Sequence, residues 1–169
     1  MKVNTLPRID MKDNPTNCCP RFKPEKWDEQ ELYFKDKLFL KAKTKAIFHI
    51  PLNMGSVFSK TFKAIKKANA NDECGFCVLS FAPSLWSEEH LFAVSKDVPN
   101  MEMVRLSGNY LTKVFEGSYS KINLWKKNIK KFVENKGKQV QKIYWFYTTC
   151  PKCAKFYKKN YVVGIVQVD

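Results

Sequence analysis

Long hydrophobic stretches are missing from this chain of 169 residues. Its longest apolar runs, at 143–147 and 161–166, fall far below the roughly 20 residues that span a bilayer. No transmembrane helix is expected. The first ten residues, Met-Lys-Val-Asn-Thr-Leu-Pro-Arg-Ile-Asp, also have no apolar stretch of about 7–15 residues such as a secretory signal carries. The expected location is therefore cytoplasmic, where the six cysteines would be reduced thiols or metal ligands rather than disulfides. Glycine is scarce: six in all, with no Gly-x-Gly-x-x-Gly and no Gly-Lys-Ser/Thr, which argues against phosphate-loop nucleotide binding. Histidine is scarcer. His49 and His90 have no His-x-x-x-His spacing and no nucleophile elbow beside them, so a hydrolytic triad is not expected; each reads as a strand histidine with an ordinary partner.

Arginine is nearly absent as well. The net charge of +14 suggests attraction to polyanions, yet only Arg8, Arg21 and Arg105 among 30 basic residues supply the bidentate fork suited to phosphate and guanine. Lysine is densest at 126–127, 130–131 and 152–159, the pattern of a solvated helix face and a loop. Nucleic acid is not the expected partner. Polyanion binding through the second helix stands as an alternative and would require steeply salt-dependent affinity.

Apolar material is plentiful. Hydrophobic residues make up 44% and aromatics 14% of the chain, with 13 Phe, 7 Tyr and 4 Trp, enough for one self-sufficient domain. Residues 1–40 read as an N-terminal arm packing on the body, because Pro7, Pro15, Pro20 and Pro24 forbid a continuous helix while Trp27, Leu32, Tyr33, Phe34, Leu38 and Phe39 offer anchors. Residues 41–169 read as a single small-molecule-binding domain with halves at about 45–96 and 110–168. The first half has an apolar run at 46–52, then Met54-Gly55-Ser56, then a helical pattern on Phe58, Phe62 and Ile65 ending near Asn69, then runs at 76–82 and 90–95. After a connector at 97–109 the order recurs. A strand-like run at 110–115 precedes Glu116-Gly117-Ser118 and a helix with Ile122, Trp125, Ile129, Phe132 and Val133 on one face, capped at Gly137; runs at 142–148 and 161–169 follow.

The predicted fold is thus α+β: two strand-helix-strand-strand repeats forming a mainly antiparallel sheet with helices on one face, plus the arm. Alternation puts Ile143, Trp145 and Tyr147 on one face of their strand and Tyr144 and Phe146 on the other, so both faces are apolar. Helices can cover only one of them. Either the N-terminal arm or a hydrophobic ligand must meet the other.

This order, with Val114-Phe115-Glu116-Gly117-Ser118-Tyr119 opening the second helix, resembles the gyrase-inhibitor-like small-molecule-binding superfamily over about 125 residues, 45–169. The resemblance is to a stand-alone member; Ser118 stands where proline is usual. It implies an aromatic pocket at the pseudo-two-fold between the halves, often with a buried glutamate. Some stand-alone members look like hydrolases that open strained, DNA-alkylating small molecules.

Glu116 is the candidate catalytic carboxylate, ending a strand and abutting a helix N-terminus; the competing reading is a surface glutamate placed before a helix. Candidate ligand-binding residues are Tyr144, Trp145 and Tyr147 on the aromatic strand, which equally suit plain core. Tyr119 joins them from the turn. Trp86, with Glu88 and Glu89 just behind it, would close a pocket mouth or anchor a hairpin tip, and Asn53 offers a polar handle or shapes its turn. The cysteines compete as a centre of their own. Cys74-x-x-Cys77 and Cys150-Pro-Lys-Cys153 together supply four thiolates for zinc, and the vicinal Cys18-Cys19 can approach them if the arm folds back. The functional expectation is capture of a hydrophobic or planar small molecule in an aromatic cleft, with hydrolysis by Glu116 as its enzymatic form; a zinc- or thiol-dependent interaction module is the alternative.

Overall fold

A computed structural model of the protein describes residues 2–169. Seven strands and three α-helices run in the order β1 (Glu31–Ile47), β2 (Ile50–Pro51), α1 (Met54–Lys67), β3 (Val78–Ser84), β4 (Ser87–Ala93), β5 (Glu102–Glu116), α2 (Ile122–Asn135), β6 (Val140–Tyr147), α3 (Pro151–Tyr157) and β7 (Tyr161–Val168). All pairings between these strands are antiparallel, in the sequence β1-β4-β3-β6-β7-β5, and β5 closes back onto β1. The sheet is therefore a barrel, which removes the exposed edges that separate three-stranded units would carry. The two strand-helix-strand-strand units are β1-α1-β3-β4 and β5-α2-β6-β7. They meet along a long β1–β5 ladder and a short β3–β6 seam at Ser80 and Trp145.

Several bounds differ from the sequence expectation. The first strand begins at Glu31, inside the stretch read as arm, because the prolines stop at Pro24 and Leu32 and Phe34 already alternate inward. A bulge between Phe34 and Lys37, with Asp36 at φ 52, then shifts the parity so that Phe39 faces the interior. The run at 46–52 is a tight hairpin rather than one strand: Phe48 and His49 turn at φ 47 and 66, where no glycine signals it. The fifth strand starts at Glu102, within the expected connector. The lysine-rich stretch at 152–159 contains α3, started by Pro151 at its first turn.

Three apolar clusters hold the parts together. Phe58 and Ile65 of α1 pack over Leu40, Val78 and Phe92, and Trp125, Ile129 and Val133 of α2 over Leu111, Trp145, Val162 and Val166. Gly164 makes the second contact possible, since a methyl group there would collide with Ile129 and lie 3.2 Å from Trp145. The lysines of α2 point away from this packing into solvent. The third cluster is the barrel interior. It joins Phe34, Phe39, Leu79, Leu91, Tyr110, Tyr144, Phe146, Val163 and Ile165 to Leu6, Ile9, Phe22 and Trp27 of the N-terminal segment.

That segment answers what covers the second aromatic face. Trp27 lies 5.2 Å from Phe146 between ring centroids, and Phe22 lies 5.7 Å from Tyr161. Backbone bonds from Asn4 to Tyr33 and from Ile9 to Cys74 tie it down, and the Val114 amide donates to Asp28. Trp27 is 1% exposed, so truncating it removes a core side chain. Trp27→Ala is expected to destabilise the fold by about 3–5 kcal/mol in urea unfolding; a loss below about 1 kcal/mol would mean that the segment only rests on the barrel.

Candidate functional site

The inner face of the barrel is not apolar throughout. Toward the ends of β1 and β4, beyond Phe39 and Leu91, the same strand parity carries Lys41, Lys43 and Glu89; on β6 it carries Lys142, in phase with Tyr144 and Phe146. Glu89 pairs across the ladder with Phe81 on one side and Lys43 on the other. Because Ser80 opposes Trp145, Phe81 comes opposite Tyr144, their rings perpendicular at 5.5 Å. Tyr144, Phe81, Glu89 and Lys43 thus form one row over four strands, crossing the seam between the two units.

Charge is concentrated on this row. The Lys142 ammonium sits 3.6 Å above the centroid of Phe81 and 5.0 Å from that of Tyr144, a cation over two ring faces. Lys41 bridges Glu89 at 3.3 Å and Glu102 at 3.4 Å, and Lys43 approaches Glu89 at 3.9 Å. Desolvation lowers the pKa of Lys142, against the pull of Glu89, and repulsion from Lys41 adds to the lowering. For Lys41 desolvation is outweighed by the two carboxylates, and its pKa rises. Burial, with Glu89 nearby, pushes the Tyr144 phenol up to about 12, so it stays a hydrogen-bond donor at neutral pH. Deeper in, the Tyr110 hydroxyl is the one buried side-chain polar atom without a partner among the described residues. Two aromatic faces, one carboxylate and three ammonium groups thus meet on one wall of the barrel.

The residues expected from the sequence are scattered. Tyr144 belongs to this row. Trp145 faces the other way, packing on Trp125 and Phe115 beneath α2. Tyr147 and Tyr119 meet edge to face at 5.2 Å on the outside of the barrel, where the Tyr119 hydroxyl donates to the Thr149 carbonyl. Trp86 is at the tip of the β3–β4 hairpin, exposed and 5.3 Å from Phe48. Asn53 accepts a hydrogen bond from the Lys45 amide at 2.8 Å and so shapes its turn. Glu116 is exposed at the far end of β5 from Glu102, because the strand runs on until Gly117 turns the chain into solvent. Phe81 has no distinguishing signal in the sequence, whereas Glu89, Lys41 and Lys142 have one: a charge in phase with core residues on a strand.

Three other places hold reactive groups. His90 is wholly buried, with the Ser80 hydroxyl 2.7 Å from Nδ1 and the Thr44 hydroxyl 2.8 Å from Nε2, so it has ordinary strand partners. Ser80 and His90 have the spacing of nucleophile and base, but at 3% and 0% exposure no substrate reaches them. A broad cleft of about 920 Å³ lies between the N-terminal segment and the β1–β5 ladder, floored by the 2.7 Å Lys37–Asp72 ion pair; no aromatic side chain lines it. Finally, the sulfurs of Cys150 and Cys153 gather with those of Cys18 and Cys19, all within 4.8 Å of one another. Cys74 and Cys77 lie outside this group, buried in the barrel interior.

A family model described as bacterial hydrolase matches residues 9–168. The chain belongs to the bacterial hydrolase family. The match begins inside the N-terminal segment and includes Ile9, Phe22 and Trp27, which pack into the barrel interior. Among solved structures, a hydrolase from Listeria innocua aligns over 96% of this chain and 100% of its own at a TM-score of 0.57 and 13% identity. An uncharacterised conserved protein from the same organism aligns over 84% and 92% at 0.58 and 11% identity. A third protein, solved bound to tetraphenylphosphonium, aligns over 84% and 94% at 0.49 and 10% identity. The first two show a shared fold. No curated protein matches the chain at a significant level.

The buried histidine makes the fold of this family member sensitive to acid. Burial lowers the pKa of His90 from 6.5 to about 4, so below pH 6.5 the unfolded chain takes up a proton that the folded chain refuses. The stability present above pH 6.5 is lost as pH falls to about 4, by about 3 kcal/mol. Urea unfolding of wild type and His90→Gln at pH 7 and pH 4 checks this: the variant should lose distinctly less stability, and equal losses would contradict it.

Proposed function

We propose that the protein binds a hydrophobic aromatic cation at the barrel mouth and that Glu89, rather than the exposed Glu116, is its working carboxylate. The observation that carries the reading is the Lys142 ammonium lying 3.6 Å over Phe81, with Glu89 beside it in the same row. The protein's own side chain there stands where a cationic guest would stand. A guest's ring would lie on Phe81 and Tyr144, its charge facing Glu89, while Lys142 swings out to solvent. The exchange favours the guest because an ammonium held in a partly desolvated place gains hydration on leaving, whereas a delocalised aromatic cation has little hydration to lose.

The family supports a hydrolytic form of the same site. Glu89 as general base would take a proton from water, which then attacks an electrophilic carbon of the guest stacked on Phe81, and Tyr144 would donate to the leaving atom. The resemblance to the gyrase-inhibitor-like superfamily fits this reading, since the row crosses the seam between the two halves and contains an inward glutamate. Trp27 and Phe22 occupy the interior beyond Phe146, so the guest is confined to the mouth rather than the whole aromatic floor.

Tetraphenylphosphonium, a hydrophobic cation that presents phenyl rings around its charge, is a suitable probe by calorimetric titration. Phe81→Ala and Glu89→Gln should each weaken it about tenfold, a difference of about 1.4 kcal/mol. Lys142→Ala should tighten it several-fold, because the competing internal cation is gone. Equal or weaker binding by Lys142→Ala would overturn the reading.

A further inference from the structure

The second concentration of reactive groups lies outside the barrel. Cys18 and Cys19 sit in a turn of the N-terminal segment, and Cys150 and Cys153 at the start of α3, more than 130 residues away in sequence. The Cys18 sulfur is 3.7 Å from that of Cys19 and 4.0 Å from that of Cys150. Four sulfurs at about 2.3 Å from one zinc ion stand about 3.8 Å apart along each tetrahedron edge. Disulfide sulfurs stand at about 2.05 Å. The Cys18–Cys19 and Cys18–Cys150 spacings lie close to the first distance and far from the second, and all four sulfurs fall within 4.8 Å of one another.

The surroundings are those of a prepared site. Cys150 caps α3, its sulfur accepting from the Cys153 amide at 3.5 Å, while the Cys150 amide donates to the Cys19 sulfur at 3.4 Å. Asn14 and Thr16 accept the Cys18 amide, and Thr16 also accepts that of Cys19, which fixes the first turn. The Cys19 carbonyl takes the Tyr157 hydroxyl at 2.7 Å, and Arg21 lies over the Tyr157 ring. Lys152, Lys155 and Lys158 belong to α3 and its cap, beside a centre that becomes dianionic when a dication replaces four thiol protons. Without a metal the cluster has no such rationale.

We infer that Cys18, Cys19, Cys150 and Cys153 form a tetrahedral four-thiolate zinc site that fastens the N-terminal segment to α3. Cys150-Pro-Lys-Cys153 supplies one pair, and the vicinal cysteines replace Cys74-x-x-Cys77 as the other. No position is left for water, so the site is structural and holds in place the segment that carries Phe22 and Trp27.

The full chain purified without chelator should contain one equivalent of zinc, only Cys74 and Cys77 being unligated thiols. Cobalt substitution should give the sulfur-to-metal charge-transfer and intense visible bands of a tetrahedral thiolate set, and chelator should lower the melting temperature. Cys18→Ser/Cys19→Ser and Cys150→Ser should lose the metal, and Cys74→Ala should keep it. Should a serine variant fail to fold, the wild-type cobalt spectrum still decides. Substoichiometric metal with no thiolate bands, full metal in Cys18→Ser/Cys19→Ser, or a disulfide among the four would overturn the site; iron in place of zinc would support the four ligands and overturn the choice of metal.

Discussion

The packing of Trp27 against Phe146 is the contact on which the rest of the molecule depends. A six-stranded antiparallel barrel whose strands are apolar on both faces has to bury two surfaces. Helices α1 and α2 cover the outer one, and the N-terminal segment fills the inner. Without that filling, Phe34, Phe146 and Tyr110 would face water or a void, and neither is compatible with a close-packed interior. Filling one end also determines where chemistry can happen. The interior beyond Phe146 is closed, and what stays accessible is the mouth, where Phe81, Glu89 and the lysines are at least partly exposed above a buried Tyr144.

At the mouth, exposed rings and charges are paired with one another. Aromatic rings on a concave surface would attract any apolar neighbour, and Lys142 guards them by lying across Phe81 while Lys41 neutralises Glu89. In the proposed function, such internal pairing would set selectivity through competition rather than through shape. Tyr110, buried with its hydroxyl unpartnered just below, adds a polar atom to a surface that is otherwise apolar or ionic.

Much of the architecture was legible because it is written in periodicity. The helix face of Trp125, Ile129 and Val133, the cap at Gly137, the turn at Asn69 and the strand-helix-strand-strand order appear as the spacing predicts, although the strands that open the two units begin earlier, at Glu31 and Glu102. The first strand was misplaced because a bulge at Asp36 breaks its alternation, and the Phe48–His49 turn was hidden because it uses residues that rarely turn. The site was only partly legible. Tyr144 carried an aromatic signal, but Glu89 and Lys142 look like ordinary surface charges until their parity with Leu91 and Phe146 is noticed. The sulfur cluster depends on the segment folding back over the whole chain, a long-range event that local spacing does not encode.

Titration of the protein with tetraphenylphosphonium, followed by fluorine resonances of 3-fluorotyrosine and 5-fluorotryptophan, tests most directly where a guest binds. The account predicts a shift at Tyr144 with Trp27 unmoved, since the filled end stays filled. A shift or broadening at Trp27 before any change at Tyr144 would mean that the guest displaces the N-terminal segment, and would contradict the account.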